Sequence, residues 1–277
     1  MTTIIYNKGD AMGRRNTKWS YATYLRFLRN GRGKGDLADY KPWITIHDFP
    51  SKGKVVRILG KKTKRIHHLL SQLEKIYFMI LDNDPSIEDI KEQYPLPIYH
   101  TQLIAAELGI KHPCMNGFSY VMTTDFFFKQ NGIWHAVQIK TVKDAEKERV
   151  KEKFAIEKAY YEKIGVDWKV ITEKDLPHVV SENYYWLNSG ESMDNLIPDP
   201  GKRGRMKSAF LELYDDYTIP FYSIVEAMDD MCAVPAGTTM QLFKSCVMDN
   251  SITLNLLEPI CLNEPRRVDD HFRRCPE

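Results

Sequence analysis

The order of hydrophobic patterns in this 277-residue chain predicts a two-part fold: an α/β domain on a mixed sheet, then a winged-helix-like α+β domain. Three observations carry the prediction. Between about residues 67 and 172 the patterns run helix, strand, hairpin, helix, strand. Inside that run, Asn131-Gly132 separates two alternating apolar segments, the strongest short-range hairpin signal. Beyond Asp175 the texture changes to helix, turn, helix and an apolar hairpin, the order of a winged-helix module. The expected divisions are a basic arm over 1–38, the α/β domain over 39–173 and the C-terminal domain over 174–277.

Taken in order, residues 1–38 read as a loosely ordered arm with a short helix around Trp19 to Leu28. Trp43, Ile44 and Ile46, then Val55, Val56, Ile58 and Leu59, predict two short strands joined by the turn Pro50-Ser51-Lys52-Gly53. From Ile66 to Leu81 apolar residues recur at helical spacing, which predicts a helix over 67–82. Glu74 stands at the edge of its apolar arc, pinned by the packed face yet pointing out of it. Ser71-Gln-Leu-Glu74 also fits a capping box, but the apolar period begins before Ser71, so a functional role for Glu74 is preferred.

Ile87 to Tyr94 predicts a strand carrying Asp89, and residues 101–110 a helix. A long Lys- and Glu-rich helix follows over about 144–163. Its Glu157 and Tyr161, four apart on one face, read as surface support, with a supporting position behind a site as the alternative. Trp168 to Thr172 reads as a buried strand closing the sheet. C-terminal helices are expected at about 176–188, 202–215, 221–231 and 238–248, then an apolar hairpin over 251–262. The helix over 238–248 has Lys244 as its one basic residue, so docking a protein competes with reading bases.

The candidate site lies in the hairpin. If Asn131-Gly132 is a two-residue turn, Gln130 pairs with Ile133, and counting outward sets Asp125 opposite Gln138 and Thr123 opposite Lys140. Asp125, Gln138 and Lys140 then share one face, while Phe126, Phe128, Val137 and Ile139 bury the other. An acid, an amide and a lysine so placed can hold a hard cation and aim an ammonium at a phosphate. The same residues also suit the solvated face of a sheet.

Composition narrows the function classes. Hydrophobic content of 43% with 5 Trp, 15 Tyr and 12 Phe indicates a globular chain. No apolar run approaches the roughly 20 residues of a membrane span, and the N-terminal sequence lacks a signal-peptide core, so a cytoplasmic protein is expected. Five widely spaced cysteines without a Cys-x-x-Cys pair argue against a disulfide framework or a zinc site, and reduced thiols are expected. The net charge of +2 hides an asymmetry: residues 1–68 hold 16 Lys and Arg against 4 Asp and Glu, a net +12, leaving −10 for the remainder. A basic N-terminal region on an acidic body suits a polyanion such as nucleic acid.

HHLLSQLE with Glu74, IEDIKEQYPL, MTTDF with Asp125 and VQIK with Gln138 and Lys140 together resemble the TnsA family of transposase endonuclease subunits. The upstream YKPWITIHDFPSKGKVVRI and the downstream IEKAYYEKIGVDW are similar to that family in order and spacing, so the resemblance covers about residues 31–190. It implies a restriction-endonuclease-like core of the PD-(D/E)xK class and a C-terminal winged helix. It also implies acidic metal ligands at Glu74 and Asp125, the strand amide at Gln138 and the catalytic lysine at Lys140. Most nucleases of that class carry an acid where this chain has Gln138, a departure the TnsA family shares. The implied cofactor is Mg²⁺, two ions with Mn²⁺ as a substitute. The implied partners are double-stranded transposon-end DNA, a DDE recombinase, TnsB, and an AAA+ ATPase, TnsC. A stand-alone restriction or repair nuclease and a non-catalytic DNA-binding scaffold are the competing readings.

Overall fold

The computed structural model describes residues 19–48, 55–115, 117–249 and 251–263, and the chain divides into two units between Leu176 and Pro177. The first unit opens with α1 (Tyr21–Arg29), then an antiparallel pair, β1 (Val56–Leu59) and β2 (Ile66–Leu69). Next come α2 (Gln72–Asn83), β3 (Ile87–Pro95), α3 (Ile98–Glu107) and the two-residue strands β4 (Cys114–Met115) and β5 (Phe118–Ser119). The hairpin is β6 (Thr123–Gln130) and β7 (Ile133–Ile139), followed by α4 (Val142–Ala145), α5 (Glu148–Lys163) and β8 (Asp167–Ile171).

The main sheet has the order β3-β6-β7-β8, antiparallel except for the parallel β7–β8 edge, so it is mixed as expected. Asn131 and Gly132 both take positive φ, 48° and 82°, which matches a right-twisted two-residue turn and sets Gln130 opposite Ile133. Both faces of the sheet are covered. On one, Phe126 meets Tyr77 and Phe78 of α2 at 5.7 and 6.5 Å between ring centres. On the other, Phe127 stacks on Trp134 at 4.6 Å and packs with Leu96, Ile104, Ile156 and Tyr161 from the α3–α5 side. The face expected to be solvated is therefore largely core.

Five local expectations change. Residues 43–46 form no strand; Trp43 and Ile44 are buried with Trp19 and Phe27, so residues 19–38 are packed onto the domain and are not a loose arm. Residues 66–69 are strand, with Val56 opposite Leu69, and the helix begins only after Ser71. The long helix is interrupted at Lys147, whose extended backbone separates α4 from α5. Cys114, Cys232 and Cys246 are free thiols, whereas Cys261 is disulfide-bonded, against the expectation of five reduced cysteines.

The second unit is helical: α6 (His178–Asn188), α7 (Met193–Leu196), α8 (Pro200–Asp215), α9 (Phe221–Met231) and α10 (Thr238–Met248). Phe243 is fully buried against Phe221, 4.7 Å away, and Phe210. Asp229 fixes the α9–α10 turn by accepting from Gly237 N–H at 2.6 Å and Thr239 N–H at 2.7 Å. The expected hairpin over 251–262 is absent, and the described residues of this unit contain no strand. Ile252, Leu254 and Leu256 are buried all the same, and Asn183 of α6 donates to the carbonyls of Leu256 and Glu258. Burial and a side-chain amide hold this segment where a strand ladder was expected, so an α+β wing gives way to a helical unit. The remaining expected features, the start of the basic arm, the turn Pro50-Ser51-Lys52-Gly53 and the Arg-rich tail beyond 263, lie outside the described residues.

Candidate active site

The site arises where the central hairpin comes apart. β6 stays paired with β3 as far as Thr123 opposite Pro95, but with β7 only to Phe126 opposite Val137. β7 instead follows β8 to Ile139 opposite Ile171, and the Lys140 N–H donates to the Ile171 carbonyl. Each central strand thus follows its outer neighbour, and a fork opens between them. A buried N–H left without its ladder partner needs another acceptor. Asp125 supplies it, its Oδ2 accepting from Ile139 N–H at 2.8 Å.

Gln138 fills the other side of the fork. Its Nε2 donates to the Thr123 carbonyl at 2.7 Å and to Glu157 Oε2 at 2.8 Å, which leaves Oε1 turned towards Lys140 Nζ, 3.5 Å away. Lys140 Nζ donates to Asp125 Oδ2 at 2.9 Å and to the Ile139 carbonyl at 2.7 Å. Burial lowers the affinity of that ammonium for its proton, yet the charges of Asp125 and Glu74 outweigh it, so the Lys140 pKa is raised.

Glu74 enters from the first turn of α2. Its carboxylate accepts from Leu70 N–H at 2.9 Å and the Ser71 hydroxyl at 3.0 Å, while Ser71 Oγ accepts from Glu74 N–H at 3.1 Å. The capping interaction is therefore real, because the helix starts at Gln72. It does not take Glu74 away from the site: a cavity of about 310 Å³ is lined by Glu74, Asp125, Gln138 and Lys140 together. Burial first, and the Asp125 charge second, push the Glu74 carboxyl well above its ordinary range.

Glu157 and Tyr161 are buried, so the surface-support reading is corrected. Glu157 accepts from Thr124 Oγ1 at 2.6 Å, Trp168 Nε1 at 2.9 Å and Gln138 Nε2, and Tyr161 meets Thr124 Oγ1 at 2.8 Å. Burial raises Glu157 to about 7 despite those donors. Asp89 stands outside this group, accepting from its own neighbour Ile90 N–H and lying 3.8 Å from Lys91.

Two residues escaped the sequence reading. Gln93 donates to Asp125 Oδ1 at 3.2 Å and accepts from Thr123 Oγ1 at 3.0 Å, completing the carboxylate's surroundings. Its position, one strand over from Asp125, was available once β3 and β6 were paired, but its left-handed φ of 49° was not. Lys153, four residues before Glu157, brings α5 into the cavity wall.

Among the described residues no group of three or more His, Cys, Asp or Glu is placed to hold a metal. The donor set here is two carboxylates and one amide oxygen, all hard oxygen ligands of the kind Mg²⁺ takes with water and phosphate completing its shell. Burial and the neighbouring Asp125 charge both oppose ionisation of Glu74, and a divalent cation relieves both, so the residues fit such an ion.

Residues 84–173 match the family described as TnsA-like endonuclease N terminal. That span contains Gln93, Asp125, Gln138, Lys140, Lys153, Glu157 and Tyr161; Glu74 precedes it. The chain is also 39% identical over 181 residues to the Transposon Tn7 transposition protein TnsA of Escherichia coli, an alignment covering 64% of this chain and 66% of that relative. The chain thus spans about two thirds of that relative's length. On this similarity, the domain that holds the fork is a TnsA-like endonuclease N-terminal domain.

Proposed function

We propose that this chain is the Mg²⁺-dependent endonuclease subunit of a transposase, hydrolysing phosphodiesters at the 5′ ends of its transposon on a restriction-endonuclease-like core. The observation that carries the reading is the convergence of Glu74, Asp125, Gln138 Oε1 and Lys140 on one cavity in a TnsA-like domain. Glu74, Asp125 and Gln138 are the residues that would hold Mg²⁺, with Mn²⁺ as a substitute. A bound divalent ion supplies a water of lowered pKa and neutralises charge on the reacting phosphate.

The chain's own groups do the rest. Lys140, whose ammonium lies on Asp125 at the mouth of the fork, would face the phosphate and orient the attacking water. Glu157 holds the Gln138 amide so that its oxygen faces the cavity. Gln93 and the Ile139 N–H hold Asp125 in one orientation, which limits the reorganisation needed when charge develops. We further propose double-stranded transposon ends, a DDE recombinase of the TnsB type and an AAA+ ATPase of the TnsC type as partners, with the helical C-terminal unit as a docking module.

The test is cleavage of transposon-end duplexes by the full chain, with and without the recombinase, in Mg²⁺ and in EDTA. The expected result is metal-dependent 5′-strand cleavage that requires the partner. Equal cleavage by the chain alone would make it a stand-alone nuclease, and DNA binding without cleavage under any metal would make it a scaffold.

A further inference from the structure

A second cavity, of about 320 Å³, adjoins the fork and shares Ile44, Tyr120 and Lys153 with it. Its walls are aromatic: Trp19 lies 6.5 Å from Trp43 and 6.3 Å from Tyr120 between ring centres, and both tryptophans are held in the core by Phe27. The lining carboxylate, Asp48, is engaged by Arg32 at 2.5 Å and by Thr45 N–H at 2.8 Å. The cations on the α5 side are Arg149 and Lys153. Arg149 pairs with Glu152, whereas Lys153 is in no salt bridge among the described residues and lies 5.9 Å from the centre of the Tyr120 ring. Arg149, Lys153 and Glu157 follow at four-residue spacing, so one face of α5 leads from this cavity to the amide that Glu157 holds in the fork.

We propose that this cavity takes an unpaired nucleobase from the DNA strand being cut, with Lys153 on the phosphate between that base and the scissile one. The inference rests on the nuclease reading of the fork. The volume lies within the range of small-molecule sites, about 300–1,000 Å³. Aromatic walls accept any base through its π-face, and a cation beside them tracks the backbone. A base inside a duplex cannot reach such a cavity, so the nucleotide must leave the stack, at a cost that falls where it is mispaired. The same wall residues serving both cavities make base capture a way to register the scissile phosphate against Asp125 and Lys140.

The experiment uses the full chain with its recombinase and transposon-end duplexes carrying 2-aminopurine, an abasic site or a mismatch at each nucleotide flanking the cut. Fluorescence and affinity are read with Asp125→Asn, which separates capture from cleavage, and strand cutting is read with the unaltered chain. One position should report unstacking on binding, and an abasic site there should weaken binding about tenfold, the scale of one stacked base. A mismatch at that position should speed cutting. Lys153→Met should remove the fluorescence change. So should a bulky methanethiosulfonate on Cys114, an exposed free thiol in the cavity wall, and Cys114→Ser should abolish the reagent's effect. Normal metal-dependent cutting with no responsive position overturns the inference and spares the nuclease reading. A responsive position without metal-dependent cutting does the reverse.

Discussion

At the scale of single residues, the chemistry of position 138 is set by what stands behind it. Gln138 donates to two acceptors, the Thr123 carbonyl and Glu157, so an acid placed here would face an oxygen at 2.7 Å and a carboxylate at 2.8 Å. Gln138→Glu, although it introduces the acid usual in the proposed nuclease class, should lower stability by about 1–3 kcal/mol and reduce cleavage. Gln138→Glu combined with Glu157→Gln returns a donor to the contact and should recover much of both losses. Additive losses in urea denaturation and cleavage assays would show that the two side chains do not act on each other. Asp125 needs a similar distinction. Its Oδ2 satisfies the buried Ile139 N–H, so Asp125→Ala removes an architectural hydrogen bond as well as a proposed ligand. Asp125→Asn keeps an acceptor there and is the cleaner variant: it should remain folded while 5′-strand cleavage drops by orders of magnitude, as should Lys140→Ala. If the recombinase still cuts the 3′ strands, products should shift from simple insertions towards cointegrates.

At the scale of elements, β2 shows why part of the fold was illegible. Ile66, Leu69, Leu70 and Leu73 fit a helical period, but His67 and Leu69 also alternate as one buried strand face, and a four-residue strand is too short for periodicity to separate the two. What decides it is non-local. Glu92 of β3 accepts from Arg65 at 2.6 and 2.8 Å, His67 Nδ1 lies 2.7 Å from its Oε2, and His68 N–H donates to it at 3.1 Å. No short-range pattern announces that cluster. Where local signals suffice, as in the Asn131-Gly132 turn and in α9 and α10, the sequence expectation and the structure agree closely. The fork was legible only as a register. The parting of its strands, which buries Asp125, depends on β3 and β8. The β2 cluster also carries a pH dependence. Burial holds His67 below its ordinary pKa and lowers His68 to about 4; burial opposes ionisation of Glu92, but His67 and Arg65 outweigh it and lower its pKa. All three groups have folded values below their unfolded ones. Their stabilisation is complete above about pH 6.5 for the histidines and about 4.5 for Glu92, and is lost as pH falls below those values. The urea midpoint should therefore drop between pH 7 and 4.5, and His68→Asn should flatten the upper part of that slope. An unchanged slope would mean that His68 takes up its proton in the folded state. On α2, Ser71→Ala should cost about 1 kcal/mol as a lost cap. It should also lower cleavage, because Ser71 holds the Glu74 carboxylate, and the two effects are separable by assaying far below the melting temperature.

At the scale of the whole molecule, the division at Leu176 and Pro177 decides where function can be cut apart. Leu176 is itself buried, so a fragment ending at the expected boundary of 173 would lose a core side chain that one ending at 176 retains. At the other end, Trp19 and Phe27 belong to the aromatic cluster around Trp43. Removing residues 1–38 would therefore damage the domain, and the charge of the N-terminal region is better tested by removing 1–18, which hold 4 Lys and Arg against one Asp. If those charges meet phosphate, their loss should flatten the salt dependence of DNA association. The decisive cut is the C-terminal one. The fork, Glu74, and the α5 residues behind Gln138 all lie within residues 1–176, and the second unit has its own aromatic core around Phe243. A fragment of residues 1–176 should accordingly unfold in one cooperative transition, retain the raised pKa of Glu157 near 7 by carboxyl NMR, and bind Mg²⁺ as the full chain does. Placed in the complete transposition reaction, however, it should fail to cut the 5′ ends, because the unit proposed to dock the partners is missing. Supplying residues 177–277 fused to the recombinase should then restore cutting more than supplying them free, since tethering raises effective concentration. Normal 5′ cleavage by the fragment within the complete system would show that the helical unit has no docking role.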